Sequence, residues 1–133
     1  TQQVNFFLIN ESMYLVDLPG YGFAKVSLAD RARIQRLIYW YLLESEYDQK
    51  LIVLIIDANV GPTENDLEIL HHLRAKGKNI VIVANKIDKL KKSHKRDELQ
   101  KIETAMGGIK IIPFSVKEKI GIEELTKEIF AEN

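Results

Sequence analysis

Two short apolar runs, Leu51 to Asp57 and Ile80 to Ala84, and a strand-like stretch, Ile109 to Pro113, recur along a chain of 133 residues with helix-patterned segments between them. A run that is apolar throughout and too short for a helix reads as a strand buried on both faces. Such strands belong to parallel sheets whose crossover helices cover the two sides. The alternation predicts an α/β sheet with crossover helices.

The helix-patterned segments carry their own signals. Ser27, with Asp30 three residues on, opens a helix in which Ile34, Leu37, Ile38, Tyr41 and Leu42 recur at helical spacing, predicted to reach about Glu46. Gly61-Pro62-Thr63 with Asp66 opens a second, whose buried stripe is Leu67, Leu70 and Leu73 and whose stop is Gly77. Asp97 to Met106 is helical in pattern, and Ile122, Leu125, Ile129 and Phe130 mark a last helix. Ahead of all these, Val4 to Ile9 and Met13 to Asp17 flank the polar turn Asn10-Glu11-Ser12, which predicts a hairpin. No repeat or low-complexity linker intervenes, and the length fits a single domain over residues 1–133.

Several classes drop out on composition. Nineteen basic residues balance nineteen acidic ones, so any attraction to nucleic acid or membrane has to be local. There is no cysteine, which removes disulfides and thiolate metal sites. The apolar runs fall far short of the roughly 18 residues that a membrane helix needs. His71 and His72 are neighbours on a predicted helix and point apart, and His94 stands among lysines, a poor basis for a zinc site. The chain opens with Thr1 and shows no signal peptide, which reads as the start of a fragment or of a processed chain.

Three motifs follow predicted strands, where open α/β sheets place their ligands. After Ile80 to Ala84 comes Asn85-Lys86-Ile87-Asp88. A carboxylate at Asp88 can accept from both the ring N–H and the exocyclic amine of guanine, a donor pair that adenine does not offer. Asn85 would tie neighbouring loops together, and the aliphatic stem of Lys86 would lie over the base. Asp17-Leu18-Pro19-Gly20 ends the hairpin's second strand. Its aspartate can hold Mg²⁺ through a water, and the Gly20 N–H can point at a terminal phosphate. Ser115-Val116-Lys117 follows the last strand, its backbone N–H groups suited to the guanine carbonyl and its hydroxyl to bracing Asp88. Each motif alone also reads as an ordinary strand-to-loop turn. Their order, each after a strand, points to a guanine nucleotide site.

These motifs come with a longer signature. Thr1-Gln2 followed by Asn5-Phe6-Phe7, then Asp17-Leu18-Pro19-Gly20-Tyr21-Gly22-Phe23-Ala24-Lys25-Val26, then Gly61-Pro62-Thr63 with Asp66, makes nearly the whole chain similar to the EngB (YihA/YsxC) family of bacterial ribosome-biogenesis GTPases. The stretch from Pro19 to Val26 is specific to that family, whereas the guanine motif is shared by many GTPases. Members often carry Thr at the position of Asn85.

The resemblance implies a three-layer Ras-like P-loop GTPase fold of the α/β class, with GTP or GDP and Mg²⁺ as its cofactors. It places Thr1 on a switch threonine that binds Mg²⁺ directly, with Gln2 and Gln3 continuing that loop. Nucleotide contacts are implied for Asp17, Leu18, Pro19, Gly20, Asn85, Lys86, Ile87, Asp88, Phe114, Ser115, Val116 and Lys117. It further implies GTP hydrolysis by in-line attack of water and a contact with the ribosomal subunit, through rRNA or ribosomal protein. The setting implied is assembly of the large subunit and, through it, normal cell division and septation, by a cytoplasmic monomer with neither membrane nor DNA as partner. Lys89, Lys91, Lys92, Lys95 and Arg96, with Lys25 and Arg31 nearer the switch, are the local basic candidates for that contact; they read equally as solvated cations around a helix start.

No G-x-x-x-x-G-K-S/T occurs in these 133 residues. That loop wraps phosphates in backbone N–H groups, and its lysine reaches the outer phosphates. The expected fold is therefore incomplete, lacking the first strand, phosphate loop and first helix, and the chain by itself is expected to bind GTP weakly or not at all. In the fold that the resemblance implies, this strand lies between the one ending at Asp17 and the one starting at Leu51, so two strand edges are expected to stand unpaired. Tyr21 follows Gly20 where a Ras-type enzyme has its water-orienting glutamine, which predicts slow hydrolysis stimulated by a partner. Two other readings stay open: a non-catalytic interaction module that has lost nucleotide binding, and an α/β enzyme for a different nucleotide.

Overall fold

In the computed structural model, which describes residues 3–20 and 27–131, the strands fall into two sheets. Strand β1 (Asn5–Ile9) pairs antiparallel with β2 (Met13–Asp17), Asn5 opposite Asp17 and Ile9 opposite Met13. The Ser12 N–H closes the turn on the Ile9 carbonyl at 3.1 Å, and Asn10 and Glu11 are both left-handed, at φ 51° and 56°. That geometry matches the twist of paired strands, and it favours Asn and Gly at the two central positions. Asn10 suits its place, whereas Glu11 carries the cost of its Cβ.

Helix α1 (Leu28–Tyr39) begins where expected, with the Ser27 side chain accepting from the Asp30 N–H at 3.1 Å. It does not continue as an α-helix to Glu46. Trp40–Glu44 form a π-helical turn that Ser45 ends, its N–H donating to the Trp40 carbonyl. A π turn admits an extra residue. Tyr41 and Leu42 are both buried here, and Trp40 is left half-exposed.

The second sheet is parallel, in the order β3 (Ile52–Asp57), β4 (Ile80–Asn85), β5 (Ile111–Pro113). Helix α2 (Glu64–Ala75) connects β3 to β4, α3 (Lys95–Ala105) connects β4 to β5, and α4 (Ile122–Ile129) follows. The α2 start is a complete capping box. Thr63 Oγ1 accepts from the Asp66 N–H at 3.2 Å, and Asp66 accepts from the Thr63 N–H at 2.9 Å. Gly77, at φ 68°, ends that helix. Strand β5 is shorter than the predicted Ile109 to Pro113 stretch, and Gly107 and Gly108, at φ 73° and 77°, carry the chain out of α3. Helix α3 starts two residues before the predicted Asp97.

Strand β4 has a neighbour on each side, and Val81, Ile82, Val83 and Ala84 are all buried. That is the two-faced burial the apolar runs predict. Strand β3 departs from it: Ile52, Leu54 and Ile56 are buried, but Ile55 on the opposite face is 61% exposed. It pairs on one side only among the described residues. The chain divides into two compact units, one up to Tyr47 and one from Asp48. No described helix is long and apolar enough to cross a membrane.

Candidate functional site

The ends of β3, β4 and β5 supply the loops of the second unit. At the end of β4, the Asn85 carbonyl accepts from the Ala58 N–H at 2.8 Å, so the tie between neighbouring loops runs through the Asn85 backbone. The chain then turns sharply. Lys86 sits at φ 65° and ψ 35°, a left-handed conformation that costs an L-residue about 1–2 kcal/mol. The turn drives Ile87 into the core, where it is fully buried and its N–H donates to the Phe114 carbonyl at 3.2 Å.

One 3₁₀ turn, Ile87–Lys89, brings Asp88 alongside the loop that follows β5. Ser115 is fully buried and its Oγ donates to Asp88 Oδ1 at 2.8 Å. The same Oγ accepts from the Glu118 N–H at 3.1 Å, which fixes the hydroxyl's direction. Ser115 also exchanges two backbone hydrogen bonds with Ile120, both 3.0 Å, so its own N–H is committed within the protein. Asp88 Oδ2 makes no hydrogen bond to protein among the described residues. Gly121 makes this loop closure feasible. At φ 86°, a Cβ there would lie 2.3 Å from the Pro113 carbonyl oxygen, inside any real contact.

Asn85, Lys86, Ile87, Asp88, Phe114 and Ser115 are thus joined by hydrogen bonds and chain continuity, with Val116 and Lys117 exposed at the rim. One participant escaped the motif reading. Asp57, the last residue of β3, lies opposite Asn85 in the sheet register, and its Oδ2 is 3.3 Å from Lys86 Nζ. Its Oδ1 accepts from the Asn59 N–H at 2.8 Å and the Val60 N–H at 3.3 Å. Burial pushes the Asp57 carboxyl up; the Asn59 N–H, Lys86 and the Val60 N–H outweigh it and hold the group below its ordinary value. The only sign of Asp57 in the sequence is an aspartate ending an apolar run.

The other predicted residues belong to the first unit. Asp17 ends β2 with its side chain exposed, Leu18 is half-buried, Pro19 is fully buried, and Gly20 is exposed. Gln3 is exposed in a bend ahead of β1. Thr1, Gln2 and the segment from Tyr21 to Val26 lie outside the described residues.

Residues 1–129 match the model of a family described as ferrous iron transport protein B. A protein of Lachnospira eligens described as probable GTP-binding protein EngB is 41% identical over 128 residues, covering 94% of this chain and 60% of the relative. One of the same description from Acholeplasma laidlawii is 38% identical over 132 residues, covering 98% of this chain and 69% of the relative. The chain thus spans roughly two thirds of the length of these curated relatives. Among solved structures, that of a probable GTP-binding protein engB superposes with a TM-score of 0.85 at 20% identity, covering 98% of this chain and 82% of that one. Era in complex with MgGDPNP and part of 16S ribosomal RNA superposes with a TM-score of 0.68 at 24% identity, covering 95% and 42%. At those identities the two structures speak for the fold, which is that of the P-loop GTPases.

Proposed function

The chain belongs to the EngB family of GTP-binding proteins, and on that premise we propose that residues 1–133 form the guanine-reading and switch portion of one GTPase domain. The observation that carries the reading is the buried Ser115 hydroxyl on Asp88 Oδ1. It holds the carboxylate at a strand end with Oδ2 and the second lone pair of Oδ1 left for a ligand, and a fixed pair of acceptors matches the adjacent ring N–H and amine of guanine. With the Ser115 N–H committed to Ile120, the guanine carbonyl falls to the backbone of Val116 and Lys117.

Bound Mg²⁺ would supply charge neutralisation for the outer phosphates. Asp17, an exposed carboxylate ending a strand, has the chemistry of a donor acting through water, and Thr1 is the direct ligand in this reading. Leu18, Pro19 and Gly20, with Gln2 and Gln3, form the phosphate-sensing loops. Buried Pro19 gives the Gly20 N–H a fixed base from which to point. The domain then works as a GTP-hydrolysing switch in large ribosomal subunit assembly and, through it, cell division in the cytoplasm. Lys89, Lys91, Lys92, Lys95 and Arg96 lie close together in sequence and have no ion-pair partner among the described residues. That unpaired run is the surface we assign to the ribosomal contact. Reversing Lys91, Lys92 and Lys95 should weaken subunit binding and flatten its salt dependence, and unchanged binding would remove the assignment.

The central test uses the full-length protein. It should prefer GDP and GTP over their adenosine counterparts, and Asp88→Asn should cut guanosine nucleotide affinity about 10- to 100-fold, as a charged hydrogen bond worth about 1.5–3 kcal/mol is lost. The same variant should gain affinity for xanthosine nucleotides. An undiminished guanine preference in Asp88→Asn would refute the assignment.

A further inference from the structure

We propose that Asp57 is a positioning residue for the guanine loop, acting through the Lys86 ammonium; the proposal rests on the reading of that loop given above. Lysine is a flexible four-carbon stem ending in a point charge, and it holds one direction only when something holds the charge. Lys101 and Lys127 pair with Glu98 and Glu123 within their own helices, at spacings of three and four residues. Lys86 pairs instead across two neighbouring strand ends, with Nζ 3.3 Å from Asp57 Oδ2.

The partner is itself anchored. Asp57 Oδ1 is held by the N–H groups of Asn59 and Val60, and the Ala58 N–H ties the same turn to the Asn85 carbonyl. The ammonium is therefore fixed to the sheet rather than to another mobile side chain. Its stem is strung between a left-handed backbone at φ 65° and a rigid carboxylate, and cannot sweep freely across the loop's surface. A nucleotide meeting that loop has less side-chain freedom to quench on binding. Asp57 touches no part of the base in this scheme; it sets where the Lys86 methylenes lie.

Affinity for GDP in the full-length protein tests the proposal. Asp57→Asn keeps an oxygen for the Asn59 and Val60 N–H groups and removes the charge. It should weaken GDP binding about threefold at low salt, in line with a half-exposed ion pair. The deficit should close near 1 M salt, where charges are screened within about 3 Å. Lys86→Met keeps the stem and loses the ammonium, so adding Asp57→Asn to it should change nothing further, and Asp57→Glu should recover part of the loss. An Asp57→Asn variant equal to the parent at low salt overturns the proposal. So does an equally large effect in the Lys86→Met background, or a lowered urea midpoint that accounts for all the lost binding. Failure of the unaltered protein to prefer guanosine nucleotides would instead strike the assignment of the guanine loop.

Discussion

From Asp48 onward the chain encloses a strand completely: β4 lies between β3 and β5, and every residue from Val81 to Ala84 is buried. Up to Tyr47 it encloses none among the described residues. Strands β1 and β2 leave Leu8 58% and Tyr14 63% exposed, and the buried apolar side chains described in that unit, besides Pro19, are Ile34, Ile38, Tyr41 and Leu42, all helical. Aromatic contacts give the hairpin one packed point: the Phe6 ring meets Tyr41 edge-on at 6.1 Å and Tyr47 at 5.4 Å. Both units were assembled from equally clear local signals. Two strands cannot bury both of their faces by themselves, whereas three parallel strands with crossover helices can bury the central one.

The largest expected effect separates the units by stability. Ile82→Ala, at the centre of the enclosed strand, should cost about 2–5 kcal/mol in urea unfolding, and Leu8→Ala in the hairpin less than about 1 kcal/mol. Equal losses would mean that the hairpin is buried as deeply as β4, and the contrast would fall. Ser115→Ala comes next. It strips Asp88 of its hydroxyl donor and the Glu118 N–H of its acceptor, for an expected loss of about 1.5–3 kcal/mol and roughly tenfold weaker GDP binding by the full-length protein. A fall in stability with GDP affinity intact would confine Ser115 to the fold. The smallest effect sharpens the comparison from the hairpin side. Glu11→Gly relieves a left-handed residue in the β1–β2 turn and should stabilise the first unit by about 0.5–1 kcal/mol, seen as a raised urea midpoint. A lowered midpoint would show that the Glu11 side chain secures the turn.

Much of the architecture is legible along the chain because its signals are local. Ser27 with Asp30, and Thr63 with Asp66, mark helix starts within four residues, and both caps form as written. The apolar run before Asn85 is long enough to identify a buried strand. Where the local pattern misled, a neighbour decided. The run ending at Asp57 looks like the one ending at Ala84, yet Ile55 is exposed, since burial of a strand face depends on what packs against it. The α-helix that the spacing carries to Glu46 widens to a π turn at Trp40–Glu44.

The candidate site divides the same way. Order and spacing alone determined that Asp17 would end a strand, that Asp88 and Ser115 would follow strands, and that an amide, a lysine and a carboxylate would share one loop; residue types at short separation encode those facts. Tertiary structure alone decided that Ser115 would be buried with its hydroxyl on Asp88, that Lys86 would adopt a left-handed backbone, and that its ammonium would meet Asp57. Those contacts join residues distant in sequence through the register of β3, β4 and β5. Register is a property of strands paired across a sheet, and no single stretch of the chain carries it.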